Sequence, residues 1–531
     1  MANVLYVDGL AANGGVGTLV SPWNCLDQVT AYSTSPGFLP GDIVQFKRGT
    51  TIAVKTATAL SIVNGGAEEE PITFQDYGVG PLPIIDCGGV AIPGVWTEPF
   101  TGIYYNAYSG SAVNGFTEDS MWLTHSAAIA GMDAGQWFWN STSNVKFPYQ
   151  SAYPVGLYYR PTSGAPASHI LRKCSSTNGV GIGSNLSHLR FKNLHFKGGA
   201  VGVAIGTPST THIYGIEFIR CTFEELRTAL DISGSGVWST NRCKAKYCIV
   251  LNCGKGIHFG SRDTSAPAYD HDIIGNTVTN IDLDARFSSF GGALDREGIG
   301  LQNSVRCKIV GNTIQYGCLH GGLLTWIHGT LGKFDGNLFA ANVVKDIDGS
   351  GIVLGAAVNA PSKGYNVVSG NIVARAGQYG IKVNTTSTLR PSLVTNNVID
   401  ACGLAHLYTQ STCAGWEIQN NISVNPVTHH ASWGGASTCR PNANDYWPIS
   451  GTQFAENGVA RSWGSFQHEV YMNGVTVPLP DASSVSVDPQ FTVGTYRLAP
   501  TSPLKTAGLY GSHAALDGDG VPFSIMPIGA Y

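Results

Sequence analysis

A four-residue pattern recurs through the middle of the chain and limits what it can fold into: glycine, an apolar residue, any residue, then another apolar one. It stands at Gly202-Val203-Ala204-Ile205, Gly256-Ile257-His258-Phe259, Gly298-Ile299-Gly300-Leu301, Gly351-Ile352-Val353-Leu354 and Gly380-Ile381-Lys382-Val383. Looser copies are Ala229-Leu230-Asp231-Ile232, Gly322-Leu323-Leu324-Thr325 and Leu404-Ala405-His406-Leu407. The steps between copies are 24 to 29 residues, except for one of 42 between Ile257 and Ile299. A second marker, asparagine followed by an alternating apolar strand, usually precedes the first: Asn276, Asn312, Asn337, Asn371, Asn397 and Asn421. Asparagine suits left-handed corners and can bond to its counterpart one turn above. Two strands and two corners in about 25 residues describe one coil of a parallel β-helix. A propeller blade would need roughly forty residues, and a leucine-rich repeat would show its own leucine spacing.

Composition agrees with a solenoid. Charged residues are only 12% of the 531, apolar residues 43%, and glycines number 67. That is enough apolar side chain for a core and too little charge for a disordered chain. A net charge of −4, with no Lys/Arg stripe, argues against nucleic acid as a partner. Apolar runs are short and broken, so no membrane insertion is expected. Met1-Ala2-Asn3-Val4-Leu5-Tyr6 has neither a basic nor an apolar leader segment, so no signal peptide is expected. Of the 12 cysteines, Cys221, Cys248, Cys253, Cys307, Cys318 and Cys402 fall inside repeats, where a small apolar residue fits. Reduced, buried thiols are expected, and with them folding in a reducing compartment.

The repeat fades at both ends. Residues 1–60 read as a capping segment, with a strand at Val4-Leu5-Tyr6-Val7 and a short amphipathic helix within Ser21 to Val29. Residues 61–430 read as the β-helix, interrupted at about 95–168 by an aromatic insertion without the repeat. Residues 431–531 read as a β-rich C-terminal cap. A solenoid must cover its open apolar ends, and such segments do that.

Several stretches resemble a widespread group of microbial and phage right-handed parallel β-helix proteins, the pectate-lyase-like superfamily. Leu5-Tyr6-Val7-Asp8 with Ser21-Pro22-Trp23 is similar to their opening strand and cap. Gly41-Asp42-Ile43-Val44 and Ile72-Thr73-Phe74 through Pro83-Ile84-Ile85 are similar to their first coil. Gly135-Gln136-Trp137-Phe138 with Gly156-Leu157-Tyr158-Tyr159 is similar to an inserted β element of that group. Val487-Asp488-Pro489-Gln490-Phe491 and the Ile528-Gly529-Ala530-Tyr531 ending are similar to their C-terminal signature. The resemblance implies an all-β right-handed solenoid that handles a polysaccharide. The group includes hydrolases, lyases, epimerases, tailspike depolymerases and members that only bind. Its tailspike branch implies a homotrimer carried on a phage tail, in the virion or outside the cell. From the sequence given, no separate virion-attachment domain is expected ahead of the coil, which would depart from that branch.

Side chains alternate across a strand. If Ile257, Ile299 and Ile381 point inward, the next residues form an outward column: Asp231, His258, Gly300, Leu324, Val353, Lys382, His406. A second outward column reads Ser233, Gly260, Gln302, Trp326, Gly355, Asn384, Tyr408. Asp231 and His258 are neighbours there, with Gln302 and Trp326 close by. A tryptophan can stack on a sugar face while amides and carboxylates bond its hydroxyls.

The 42-residue step carries Arg262, Asp263, Tyr269, Asp270, His271, Asp272, Asp282, Asp284, Asp295 and Glu297, in a chain otherwise poor in charge. Long loops on a rigid coil are where such scaffolds build sites. Glycosidic hydrolysis needs two carboxyls, about 5–5.5 Å apart for retention or 6.5–9.5 Å for inversion. Asp263 and Glu297 are the preferred pair, with Asp295 and Asp231 as substitutes and His258 beside them. Trp326, Gln302, His320, Tyr269, His271 and Arg262 are the expected substrate contacts, and His328 is a further helper. Alternatively Tyr269 or His271 would act as a base and eliminate across a uronic acid. Ca²⁺ could neutralise that carboxylate. No tight ligand motif supports it, so neither a metal nor another cofactor is expected. Dinucleotide, hydrolase-elbow, zinc-protease and phosphate-loop motifs are not found. The expected function is cleavage of a bacterial surface polysaccharide by hydrolysis. A uronate lyase or epimerase and a non-catalytic glycan-binding β-helix are the alternatives.

Overall fold

A computed structural model describes residues 2–53, 60–87, 90–92, 94–108, 113, 115–119, 121–141, 150–174, 178–183, 186–205, 213–234, 240–261, 267–282, 296–327, 333–355, 364–385, 391–410, 413–434, 437, 439–451, 453–456, 458–463, 470–472, 475–477, 484–492 and 495–504. Three long sheets of 13, 13 and 12 strands dominate these residues, and their strands are stacked in parallel except for the last one of one sheet. Each turn visits the sheets in one order. Thr228–Gly234, Lys244–Lys246 and Ile249–Cys253 make one coil, and Lys255–Ser261 begins the next by pairing with Thr228–Gly234. The chain is a right-handed parallel β-helix.

The motif residues stack in register. Leu230 pairs with Ile257, Ile257 with Ile299, Ile299 with Leu323, Leu323 with Ile352, Ile352 with Ile381 and Ile381 with Leu407. The 42-residue step keeps this register. All seven of these residues are at most 1% exposed. Burying each such side chain is worth about 1.5–3 kcal/mol. Like stacks on like elsewhere inside, with Phe74, Phe191 and Phe218 forming a stack at centroid spacings of 5.1 and 5.0 Å. The eleven cysteines whose side chains are described are all free and buried, in line with the reduced thiols expected.

Buried asparagines line one corner. Asn276, Asn312, Asn342, Asn371, Asn397, Asn421 and Asn444 each receive two hydrogen bonds at Oδ1 or pass them to the next, and Ser484 closes the series. Asn337 belongs instead to a second series with Asn366 and Ser392. The left-handed residue is the one before each ladder asparagine. Gly275, Gly311, Ala341, Gly370, Asn396, Asn420 and Ala443 all have φ between 50 and 67°. The corner thus divides the labour: one residue makes the turn, and the asparagine satisfies the backbone left open by it.

The ladder starts earlier and ends later than the repeat alone indicates. Val4–Val7 already pairs with Ile43–Lys47, and Phe454–Glu456 still pairs in parallel before turning back onto Val459–Arg461. The helix, Leu26–Thr34, sits slightly beyond its expected position. It covers the free edge of Leu60–Ile62, where Thr30 and Ser33 hydroxyls accept hydrogen bonds from Ser61 N and Val63 N at 3.1 and 3.0 Å. The aromatic insertion forms two small, largely antiparallel sheets between Val90 and Cys174, with Trp137, Tyr158 and Tyr159 fully buried. His406 corrects the outward column. Ile381 pairs with Leu407, so Lys382 faces Tyr408, and His406 is buried against Ser423 Oγ at 2.7 Å.

Candidate active site on the outer face of the coil

Four adjacent strands of one long sheet build the site: Thr228–Gly234, Lys255–Ser261, Glu297–Gln302 and Gly321–Trp326. Many strands alternate, as in the half-buried, buried, half-buried pattern of Lys244–Lys246, while a few, such as Ser350–Leu354, are buried throughout. Here every residue of Lys255–Ser261 and Glu297–Gln302 is buried. Ile257, Phe259, Ile299 and Leu301 account for the inner face. On the outer face lie His258 and Gly300, paired across the two strands.

Glu297 is the centre. Its carboxylate is 0% exposed and folds back over Gly300. Oε1 meets His258 Nδ1 and, at 3.0 Å, Lys255 Nζ. Oε2 accepts a hydrogen bond from Trp326 Nε1 at 3.2 Å. Burial alone would push this carboxyl up. The charges of Lys255 and His258, with their hydrogen bonds, outweigh burial and hold it at about 2. It is therefore ionised at any ordinary pH and cannot itself deliver a proton. His258 Nε2 points at Gln302 Oε1, 3.5 Å away. A carboxylate on one imidazole nitrogen fixes the ring and directs proton exchange to the other.

The glycine is required. A Cβ on Gly300 would overlap the Glu297 carboxylate and lie 2.6 Å from His258 Nδ1. Gly300→Ala is therefore expected to lower stability by about 1–3 kcal/mol and to disrupt the cluster. Thermal unfolding together with turnover would show both effects, and an unchanged variant would mean that the cluster has room to relax.

The other predicted residues scatter. Asp231 lies one coil below His258, directly in register and half-buried, with Ser233 Oγ donating to it. Trp326 keeps part of its ring exposed. His320 is exposed, and its Nδ1 accepts a hydrogen bond from Arg296 N at 3.1 Å. Tyr269 lies on a different, four-stranded sheet, under the Arg306 guanidinium at 5.3 Å. His271 is corrected outright: it is 0% exposed and faces the interior. Its ring is held by Thr240 Oγ1 and Cys243 N, both at 3.1 Å, and burial lowers it to about 4. No ring atom is left for a sugar. Arg262, Asp263, Asp284, Asp295 and His328 lie outside the described residues, so the Asp263–Glu297 pairing is not measured.

Lys255 was missed. It stands two residues before Ile257, as Glu297 stands two before Ile299. Opposite charges at one repeat position in successive coils were the available signal. Among the described residues one group could hold a metal ion: Glu118, Asp119 and His169, in the aromatic insertion. His169 Nδ1 already meets Asp119 at 2.7 Å and Glu118 at 3.0 Å.

Comparison with known proteins agrees with this architecture. The family described as "Right handed beta helix region" matches residues 234–444, which contain the whole cluster. No curated protein sequence matches the chain. Among solved structures, XylC in complex with xylose is 9% identical, covering 86% of each chain with a TM-score of 0.49. A GH136 lacto-N-biosidase from Eubacterium ramulus is 12% identical, covering 92% of this chain and 67% of its own, with a TM-score of 0.39. The Dettilon tailspike protein is 12% identical, covering 86% and 68%, with a TM-score of 0.37.

Proposed function

We propose that this chain is a polysaccharide-cleaving enzyme, a depolymerase of the tailspike kind that hydrolyses a bacterial surface glycan. The carrying observation is the ionised Glu297 buried against His258 and Lys255 on the outer face, in a protein that otherwise spends little charge. A solvated sheet has no need of such a cluster, and burying it unpaired would be costly. Glu297 is the charged member of the centre, and it orients His258. Asp231, one coil beyond His258 and partly exposed, is the carboxyl placed to protonate the leaving oxygen. Two coils separate Asp231 from Gly300, over which Glu297 lies. That is roughly 9.6 Å of strand spacing, just beyond the inverting range of about 6.5–9.5 Å before the reach of the Glu297 carboxylate to His258, one coil nearer Asp231, is counted. The half-exposed Trp326 ring would take the sugar face. In this reading the enzyme acts as a homotrimer, on a virion or outside the cell.

One observation favours a second reading. Glu297 pins His258 by Nδ1, which makes Nε2 the nitrogen through which the ring would exchange a proton in β-elimination on a uronate. Mass spectrometry of products from capsular, O-antigen and uronate polymers separates the two. Products carrying one added water, absent with Asp231→Asn and Glu297→Gln, would support hydrolysis. Unsaturated products would replace it with elimination. Binding without products from any polymer would make the chain an adhesin.

A further inference from the structure

The same outer face carries a second arrangement, three coils beyond Glu297. Tyr379 stands two residues before Ile381, the repeat position that Glu297 occupies before Ile299. Lys382 stands in the column of His258 and Gly300 and pairs with Tyr408 on the next coil. The two tyrosine rings lie 4.4 Å apart, tilted by 34°. The Lys382 ammonium lies over both, 5.1 Å from the Tyr379 centroid and 5.6 Å from that of Tyr408. Ile381, Val383, Leu407 and Thr409 are buried inward, so Lys382 and Tyr408 face out, and the Tyr379 ring, at the start of its strand where alternation lapses, is set against both of them.

Among the described residues Lys382 has no counter-charge. The nearby segments outside them, 356–363, 386–390 and 411–412, contain no Asp or Glu. Half-burial holds its pKa below the ordinary lysine range. Two residues on, along the same outward face, the buried Asn384 Oδ1 has no hydrogen-bond partner among the described residues. A cation kept partly from water beside aromatic faces, with an open acceptor next to it, is short of an anion and a hydroxyl donor. An acidic sugar offers both, together with an apolar face to stack.

We infer that Tyr379, Lys382, Asn384 and Tyr408 form a binding site for an anionic sugar of a glycan chain lying along the coil. The site stands roughly 14 Å from the Glu297 coil, three strand spacings away, and belongs to the face on which cleavage is proposed. It rests on that reading only in taking the bound polymer to be the one cleaved.

The test is calorimetric binding of a galacturonate hexamer and of its neutral methyl ester. The wild type, Lys382→Gln, Tyr408→Ala and Glu297→Gln are compared. The acidic hexamer should bind the wild type at least tenfold tighter than the ester. Lys382→Gln should erase that preference while leaving ester binding unchanged, and Tyr408→Ala should weaken both. Glu297→Gln should keep the preference. Equal binding of acid and ester by the wild type, no binding of either, or a preference that survives in Lys382→Gln overturns the inference. Loss of turnover in Glu297→Gln with binding unaltered in Lys382→Gln would overturn this site alone. The reverse pattern would overturn the cleavage site and leave this one standing.

Discussion

Asn371→Ala should lower the unfolding free energy by about 3–5 kcal/mol, read as a fall in the urea midpoint at unchanged slope. Asn371 Oδ1 accepts from the Asn342 backbone N and Nδ2 at 3.0 and 2.9 Å. Its own Nδ2 donates to Phe339 O and Asn397 Oδ1, each at 2.9 Å. Truncation orphans both Asn342 donors and the Phe339 carbonyl in a place with 0% exposure. Each buried group left unpaired costs about 1–3 kcal/mol, and partial rescue by entering water keeps the total below the simple sum. A loss under about 1 kcal/mol would mean that the ladder accompanies the corners without holding them.

The second large effect concerns acid. Glu297 sits at about 2 against an ordinary value of 4.5. Its pairing with Lys255 and His258 thus contributes stability that is fully present above pH 4.5 and lost as pH falls towards 2. In that window the unfolded chain binds the extra proton. The difference amounts to roughly 3 kcal/mol. Glu297→Gln should destabilise the protein at neutral pH by about 3–5 kcal/mol, because it leaves Lys255 buried without its partner. It should also flatten the stability profile between pH 4.5 and 2. Parallel profiles for the variant and the wild type would show that the carboxylate is not paired as described.

Most of the coil was legible because a period-two strand leaves few choices. Once Ile257 and Ile299 were taken as inward, His258 and Gly300 had to face out, and the ladder agrees. Alternation named His258, Gln302 and Trp326, and the acidic 42-residue step named Glu297; the structure brings the four together. The errors come from corners, where alternation lapses. Lys255 precedes its strand motif, so the outward columns did not include it. His271 lies in an acidic stretch whose composition suggested a solvated loop, yet it opens the strand Asp272–Ile274 and turns inward. His406 was misplaced by two residues, because Leu404 looked like the start of the motif and is in fact exposed ahead of it. Asn337 and Asn342 compete for one apparent marker. Only the three-dimensional stack shows that there are two series.

The aromatic insertion has a consequence for how such a coil can change. The chain leaves the ladder after Asp86, which pairs with Lys197, and rejoins it at Asn178, which pairs with Val201. Val180 meets Leu60 as though nothing intervened. Closing a loop between fixed ends costs free energy that rises only with the logarithm of its length, about 0.6 kcal/mol per doubling. At this point of the coil, chain length is therefore almost thermodynamically neutral. A whole folded module can be lost, gained or exchanged there, and the solenoid beneath it would register little more than the change in its own surface.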